Sequence, residues 1–337
     1  MNKRLAVAVL LLLPVILTCA NASAAQYQAT YLDLPGYTYG QAKAINGNGQ
    51  VAGTTDYNLP FFWDSDGTPT SIPLPEGADE ALIHGINIHG QVIGTAYGPD
   101  DFYWGRAFVW SQAGGLKLLD MPAGADGIYG KSINDTGKVL GGCQGIDEQS
   151  AIWDTSTGHV VSTTTDCYQD INNNGEIAGW WFGTNYMRAA RWDTNGTLSK
   201  YEPVNGLQNS QADRINSSGQ LAGLSGSAAV TLWDPDGTAT ELPGLGGYAS
   251  IEDLNDAGQV LYLTSVSGYP LYNYLWSPGT GVTEFAGIVA GLNNSGQVVG
   301  SLDGRPCIWT AVPEPSSVMA LATGLAGILG LRLRRRG

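Results

Sequence analysis

The chain is poor in lysine, methionine, histidine and cysteine, and no amphipathic helical run of useful length occurs in it. Its three histidines, His84, His89 and His159, lack a metal-ligand partner four residues on, and there is no H-E-x-x-H. A G-x-S-x-G elbow and a G-x-x-x-x-G-K-[ST] phosphate loop are also missing. "DSDG" and "DPDG" lack the fuller D-x-D-x-D-G loop with a distant Glu, so they read as turns and not as calcium loops. No cofactor or metal is expected. Basic residues are scarce too: 16 Lys and Arg against 30 Asp and Glu, a net charge of −14. Between residues 26 and 311 the count is 10 against 29, net −19. Such a surface repels nucleic acid and anionic lipid, and leaves cations or neutral glycans as the better partners. Glycine is abundant, at 47 residues, and together with the missing helical periodicity this gives an all-β composition.

Long hydrophobic runs are confined to the two ends. Residues 1–25 carry Lys3 and Arg4, an apolar run from Leu5 to Leu17, and small residues at Ala22, Ala24 and Ala25. This is the pattern of a secretory signal peptide. Residues 312–337 begin with Val312, Pro313, Glu314 and Pro315, continue as an apolar stretch from Ser316 to Leu331, and then carry Arg332, Arg334, Arg335 and Arg336. As a helix, that stretch would be about 24 Å long, short for a hydrocarbon core of roughly 30 Å but helped by snorkelling arginines. These three parts, in this order, resemble the PEP-CTERM sorting tail. The resemblance implies recognition by an exosortase, passage across the inner membrane, and delivery to the cell envelope or extracellular matrix. The tail would anchor the chain in the membrane only until it is processed.

The remaining segment, 26–311, reads as one domain built from a repeat. "AINGNGQVAG", "GINIHGQVIG", "SINDTGKVLG", "DINNNGEIAG", "RINSSGQLAG", "DLNDAGQVLY" and "GLNNSGQVVG" share Asn at the third position and Gly at the sixth. Asn caps a type I turn and Gly accepts the left-handed conformation that closes it, so each copy marks a hairpin. An apolar-Trp pair follows each copy, as in "FFWD" ending at Asp64 and "AIWD" ending at Asp154, and then a second turn such as "DTNG" at 193–196. Two hairpins make four strands. The Asn-to-Asn spacings of 41, 47, 38, 44, 39 and 38 residues match the period of a propeller blade. The expected fold is a seven-bladed β-propeller with four antiparallel strands per blade, plus a C-terminal apolar helix. The seventh unit lacks a fourth strand and residues 27–35 read like one, so the N-terminal strand should complete the last blade. The repeats also resemble the extracellular HAF-repeat family: Arg106-Ala107-Phe108 keeps two letters of its signature, and no unit has the His. That resemblance implies the architecture and no activity.

The pattern tryptophans read as core packing between blades. Aromatics that break the pattern are the candidate ligand-binding residues: Tyr103, Trp104, Trp180, Trp181, Tyr269 and Tyr272. All fall between the second and third strands of their units and should share one face with the blade-to-blade connections. Short residues on the first strands, as in "QAKA", "YGKS" and "QADR", suit an innermost position around a crowded channel. Cys143 and Cys167 are candidates for a disulfide across neighbouring repeats. The leading functional expectation is a non-catalytic exported propeller that binds a glycan or a surface protein. The alternative is a polysaccharide hydrolase or lyase using channel-mouth carboxylates, such as the pair Asp100 and Asp101.

Overall fold

Each Asn-x-x-Gly segment closes a hairpin, in all seven repeats. The Gly amide donates to the Asn carbonyl at 3.0–3.1 Å, and Gly49, Gly90, Gly137, Gly175, Gly219, Gly258 and Gly296 all have φ between +70° and +83°. A Cβ-bearing residue would be strained in that conformation. The structure, a computed structural model, describes residues 26–99, 103–147, 150–266 and 271–312. Among these residues the chain forms 28 strands, β1 (Gln26–Tyr31) to β28 (Arg305–Val312), and one short 3-10 helix at Val204–Gly206. The strands form seven antiparallel four-stranded sheets.

The innermost strands are β2 (Gly40–Ile45), β6 (Glu80–Ile86), β10 (Gly127–Ile133), β14 (Cys167–Ile171), β18 (Ser210–Ile215), β22 (Tyr248–Leu254) and β26 (Ile288–Leu292). Each packs against the inner strands of both neighbouring blades. Closure is as the sequence implies. The last sheet has the order β1-β28-β27-β26, with Ala29 opposite Trp309 and Tyr31 opposite Cys307; here β27 is Val298–Leu302. The closing strand is shorter than 27–35. Pairing ends as Leu32 N–H donates to the Pro306 carbonyl at 2.9 Å. Leu32 and Leu34 then turn inward and pack with Trp63 against the first blade.

Six of the seven pattern tryptophans are buried, Trp63, Trp153 and Trp233 completely, while Trp276 is half-buried. Three of them donate to a carbonyl in the preceding blade-to-blade connection: Trp63 to Asp33 at 2.5 Å, Trp153 to Asp120 at 2.7 Å, and Trp233 to Glu202 at 2.8 Å. The indole therefore fills the wedge and satisfies a polar group within it.

The repeat asparagines do more than cap turns. All seven are buried, at 2–5% exposure. Each Oδ1 accepts the backbone N–H four residues on, at 2.9–3.0 Å. Each Nδ2 donates to the backbone carbonyl of the next blade's asparagine: Asn46 to Asn87, then Asn134, Asn172, Asn216, Asn255 and Asn293, which returns to Asn46 at 3.1 Å. In six repeats the second Nδ2 hydrogen reaches the Gln or Glu side chain four residues on. Lys138 cannot accept, and it pairs instead with Asp154 at 2.6 Å. Gln50 and Gln220 pass the chain on to Asp64 and Asp234, which ties the Asn-x-x-Gly-Gln turn to the residue after the tryptophan.

The segment 316–331, expected to be an apolar helix, lies outside the described residues, as does the whole of 313–337. Among the described residues no helix is long and apolar enough to cross a membrane.

Two predictions follow from this packing. Asn172→Asp keeps a good turn former but replaces both donors with a carboxylate aimed at the Asn216 carbonyl. It should destabilise the domain by about 1–3 kcal/mol, whereas Asp193→Asn in an exposed outer turn should be close to neutral, as read by urea denaturation. Deleting residues 26–31 removes the outer strand of the last blade and should cost about 3 kcal/mol or more. An unchanged melting curve would mean that closure contributes nothing.

Candidate functional site at the channel mouth

The pairing register skips one residue in every inner strand. The skips fall between Ala42 and Ala44, Ile83 and Gly85, Gly130 and Ser132, Tyr168 and Asp170, Ala212 and Arg214, Ile251 and Asp253, and Val289 and Gly291. A β-bulge of this kind leaves one residue unpaired and re-aims its side chain. The bulged residue is always three before the repeat asparagine: Lys43, His84, Lys131, Gln169, Asp213, Glu252 and Ala290. The last residue of the repeat sits opposite the bulge and is Gly in six units. A Cβ at Gly53, Gly179, Gly223 or Gly300 would collide with an inner-strand carbonyl. Tyr262 takes that place in the sixth blade and is buried, with its hydroxyl donating to Pro243 O at 2.7 Å.

Two cavities fill the channel above the asparagine ring. The inner one, about 140 Å³, is lined by Lys43, His84, Lys131, Asp170, Arg214, Glu252 and Asp253, among others. The outer one, about 550 Å³, opens at the end away from the ring and is lined by His84, Tyr129, Gly130, Lys131, Ser150, Cys167, Gln169, Trp180 and Arg214. The crowding by short side chains expected for the channel is thus only partial, since the bulged positions carry charge.

Two of the channel carboxylates, Asp170 and Asp253, are committed to the fold. Asp170 accepts Ser132 Oγ at 2.5 Å, Ile171 N at 2.9 Å, and Ile215 N of the next blade at 2.9 Å. Asp253 accepts Leu254 N at 2.8 Å and Leu292 N of the next blade at 2.7 Å. Burial pushes the Asp253 carboxyl up to about 6, against the opposing pull of Arg214. Arg214 sits between these groups and donates to Glu252 O and Asp213 O, both at 2.9 Å. Asp213 is also held up by burial. Two lysines are placed differently. Lys131 Nζ donates to Tyr168 O at 2.6 Å and Lys43 Nζ to Gln41 Oε1 at 2.6 Å; neither makes an ion pair among the described residues. Burial lowers the pKa of both.

The expected aromatic face is dispersed over three blades. Tyr103 and Trp104 form an exposed edge-to-face pair, centroids 5.1 Å apart, on the connection between β7 (Val92–Tyr97) and β8 (Arg106–Ser111). Trp180 and Trp181 are not on a loop: both belong to β15 (Ile177–Phe182), opposite Ala189 and Arg188. Successive strand residues face opposite ways. Trp180 therefore lines the outer cavity, while Trp181 packs under Lys200, whose Nζ lies 3.4 Å from its centroid. Tyr272 opens β24 (Tyr272–Ser277) and stacks on Tyr274. Tyr269 lies outside the described residues, as do Asp100 and Asp101 and the sorting residues Pro313, Glu314, Pro315, Arg334, Arg335 and Arg336. Cys143, on β11 (Lys138–Gln144), and Cys167 are half-buried thiols that both feel Tyr129 and Lys131 electrostatically. The bridge between them stays a proposal.

Sequence reading passed over the bulged column. Its signal was available in part: it is the residue immediately before each ten-residue repeat, and five of its seven occupants are ionisable.

Comparison with known proteins adds a sorting signal and a fold. The chain is a seven-bladed, all-β propeller, and residues 311–336 match the PEP-CTERM protein-sorting motif. That tail implies recognition by an exosortase and export to the cell envelope or extracellular space. A search of curated proteins returns no match. Solved structures with a similar fold include a streptogramin B lyase (TM-score 0.58, 13% identity, covering 85% of this chain and 98% of that one). Virginiamycin B lyase from Staphylococcus aureus is similar at TM-score 0.59 and 14% identity, covering 85% and 100%. The β-propeller domain of the Trilobed protease from Pyrococcus furiosus is similar at 0.57 and 13%, covering 84% and 96%. At such identities the likeness shows the fold alone.

His84 supplies a pH prediction. Burial, then Lys43, depress its pKa from 6.5 to about 4, and its Nε2 lies 2.9 Å from Thr95 Oγ1. As pH falls below 6.5 the unfolded chain takes up a proton that the native imidazole refuses until about 4. The domain should therefore lose up to about 3 kcal/mol between pH 6.5 and 4 through this group. Denaturant melts of His84→Gln should show a shallower slope over that window.

Proposed function

We propose that this protein is an exported, non-catalytic propeller that binds an envelope glycan at the outer mouth of its channel, after sorting through its C-terminal tail. The observation that carries this reading is the outer cavity. An indole and a phenol ring, Trp180 and Tyr129, stand beside the polar groups of Gln169 and Lys131. A ring face next to fixed donors is what a pyranose needs: its apolar face stacks and its hydroxyls find partners. A surface protein partner fits the same export route but is not favoured by a cavity of this form. The alternative, a polysaccharide hydrolase or lyase, requires a carboxylate available to substrate. Asp170 and Asp253 hold neighbouring blades together through backbone amides, and no carboxylate lines the outer cavity, which favours binding over catalysis there. The HAF-repeat resemblance, an exopolysaccharide matrix as destination and the transient membrane anchor belong to this same proposal.

Trp180→Ala should weaken binding of the mature domain to native envelope polysaccharide by about fivefold, equivalent to about 1 kcal/mol for one stacked ring. Because Trp180 belongs to a paired strand, some stability should be lost with it. Trp104→Ala, at an exposed site, should leave folding intact and report whether the rim pair also touches ligand. Trp153→Ala should open a core cavity costing about 3–5 kcal/mol. Pull-down together with thermal melts separates these outcomes. Retained polysaccharide binding by folded Trp180→Ala would remove the channel mouth as the site.

A further inference from the structure

We infer that the outer cavity selects a saccharide bearing a carboxylate, a uronic-acid residue, with Lys131 as the group that receives the charge. This rests on the glycan-binding reading above and names its ligand class. The chain as a whole carries −14, which argues for neutral glycans. The channel inverts that argument. Of the six lysines in the sequence, two occupy bulged inner-strand positions, and both lie on the first three blades. His84 occupies the bulge between them, while the acidic bulges Asp213 and Glu252 lie on the fifth and sixth blades. The channel wall is therefore split by sign. The larger cavity opens on the lysine side: Lys131 lines it together with an uncharged His84 and a charge-compensated Arg214, and no carboxylate does.

Lys131 is the group with capacity left. An ammonium has three donors. One is used, on Tyr168 O at 2.6 Å, and the Tyr129 ring lies 5.8 Å away. Arg214 has already placed Nε and one terminal nitrogen on backbone carbonyls and is ringed by four carboxylates, so it adds little net field. An ammonium held in a partly buried wall without a counter-ion gains one when a carboxylate enters, and the low local dielectric strengthens that pairing. Trp180, on the neighbouring blade, lines the same cavity and supplies aromatic surface for the sugar ring that carries the carboxylate. The acidic exterior disfavours a long polyanion, which would meet repulsion outside the cavity, so the form taken is a short acidic oligosaccharide or a chain end.

The experiment uses the mature chain and two probes of equal length: α-1,4-linked trigalacturonate and the same trimer with its carboxyl groups reduced to neutral galactose units. Binding is read by titration calorimetry and by tryptophan fluorescence. The expected result is at least tenfold tighter binding of the acidic trimer, with that preference lost in Lys131→Gln, kept in Lys131→Arg, and unaffected in the surface control Lys117→Gln. Thermal melts confirm that the variants fold. Equal binding of both trimers, or undiminished preference in folded Lys131→Gln, overturns the inference and leaves the glycan reading standing. If neither trimer nor native polysaccharide binds the wild-type chain, the glycan reading falls and this inference with it.

Discussion

The fold hangs on a closed ring of seven asparagine side chains. Each amide hydrogen-bonds forward to the next blade's asparagine carbonyl, and the seventh returns to the first. A buried amide that satisfies both its acceptor and its donors is worth keeping, and one left half-satisfied is costly. The ring sets the number of blades and their angular spacing at once, because each bond requires the neighbouring turn to be in place. It also explains why the inner turns use Asn while the outer turns at Asp64, Asp193 and Asp234 use Asp. The outer turns need only an acceptor for their own amides; the inner turns need a donor for a neighbour.

The ring has a consequence further along the channel. With the turns locked at one end, the inner strands bring together the opposite end and the bulges between. Every bulge lifts one side chain out of the pairing register, and the glycine across from it makes room for the displaced backbone. The scaffold can therefore stay constant while seven side chains vary. Blades one to three present Lys43, His84 and Lys131; blades five and six present Asp213 and Glu252. Structure and site are separated by a single residue, since the position after the bulge carries Asp170 and Asp253, which stitch blades together.

Net charge and local charge point in opposite directions here. A strongly acidic exterior governs solubility and long-range encounter, whereas a cavity responds to the few groups that line it. The same separation applies to aromatics. Tyr103 and Trp104 are exposed on the rim, Trp181 is covered by Lys200, and Trp180, its chain neighbour, faces the cavity. They do not form one site, because Trp180 and Trp181 lie within a strand whose alternation sends them to opposite faces, and Tyr103 and Trp104 sit on the connection of a different blade.

The sequence by itself determined the blade count, the strand count per blade, the turn positions, the inner strand and the closing strand. These are local or periodic properties: an Asn-x-x-Gly turn and a buried indole declare themselves within ten residues, and repetition multiplies the signal. The sorting tail is legible for the same reason, as three short features in order. The tertiary structure decided the rest. The asparagine ring joins residues 38 to 47 positions apart and, at its closure, 247 apart. The bulges depend on how two strands pair, and the cavity at Trp180 and Lys131 depends on which way each strand faces in the closed ring. No single repeat contains those relations, because the channel exists only when seven inner strands surround one axis.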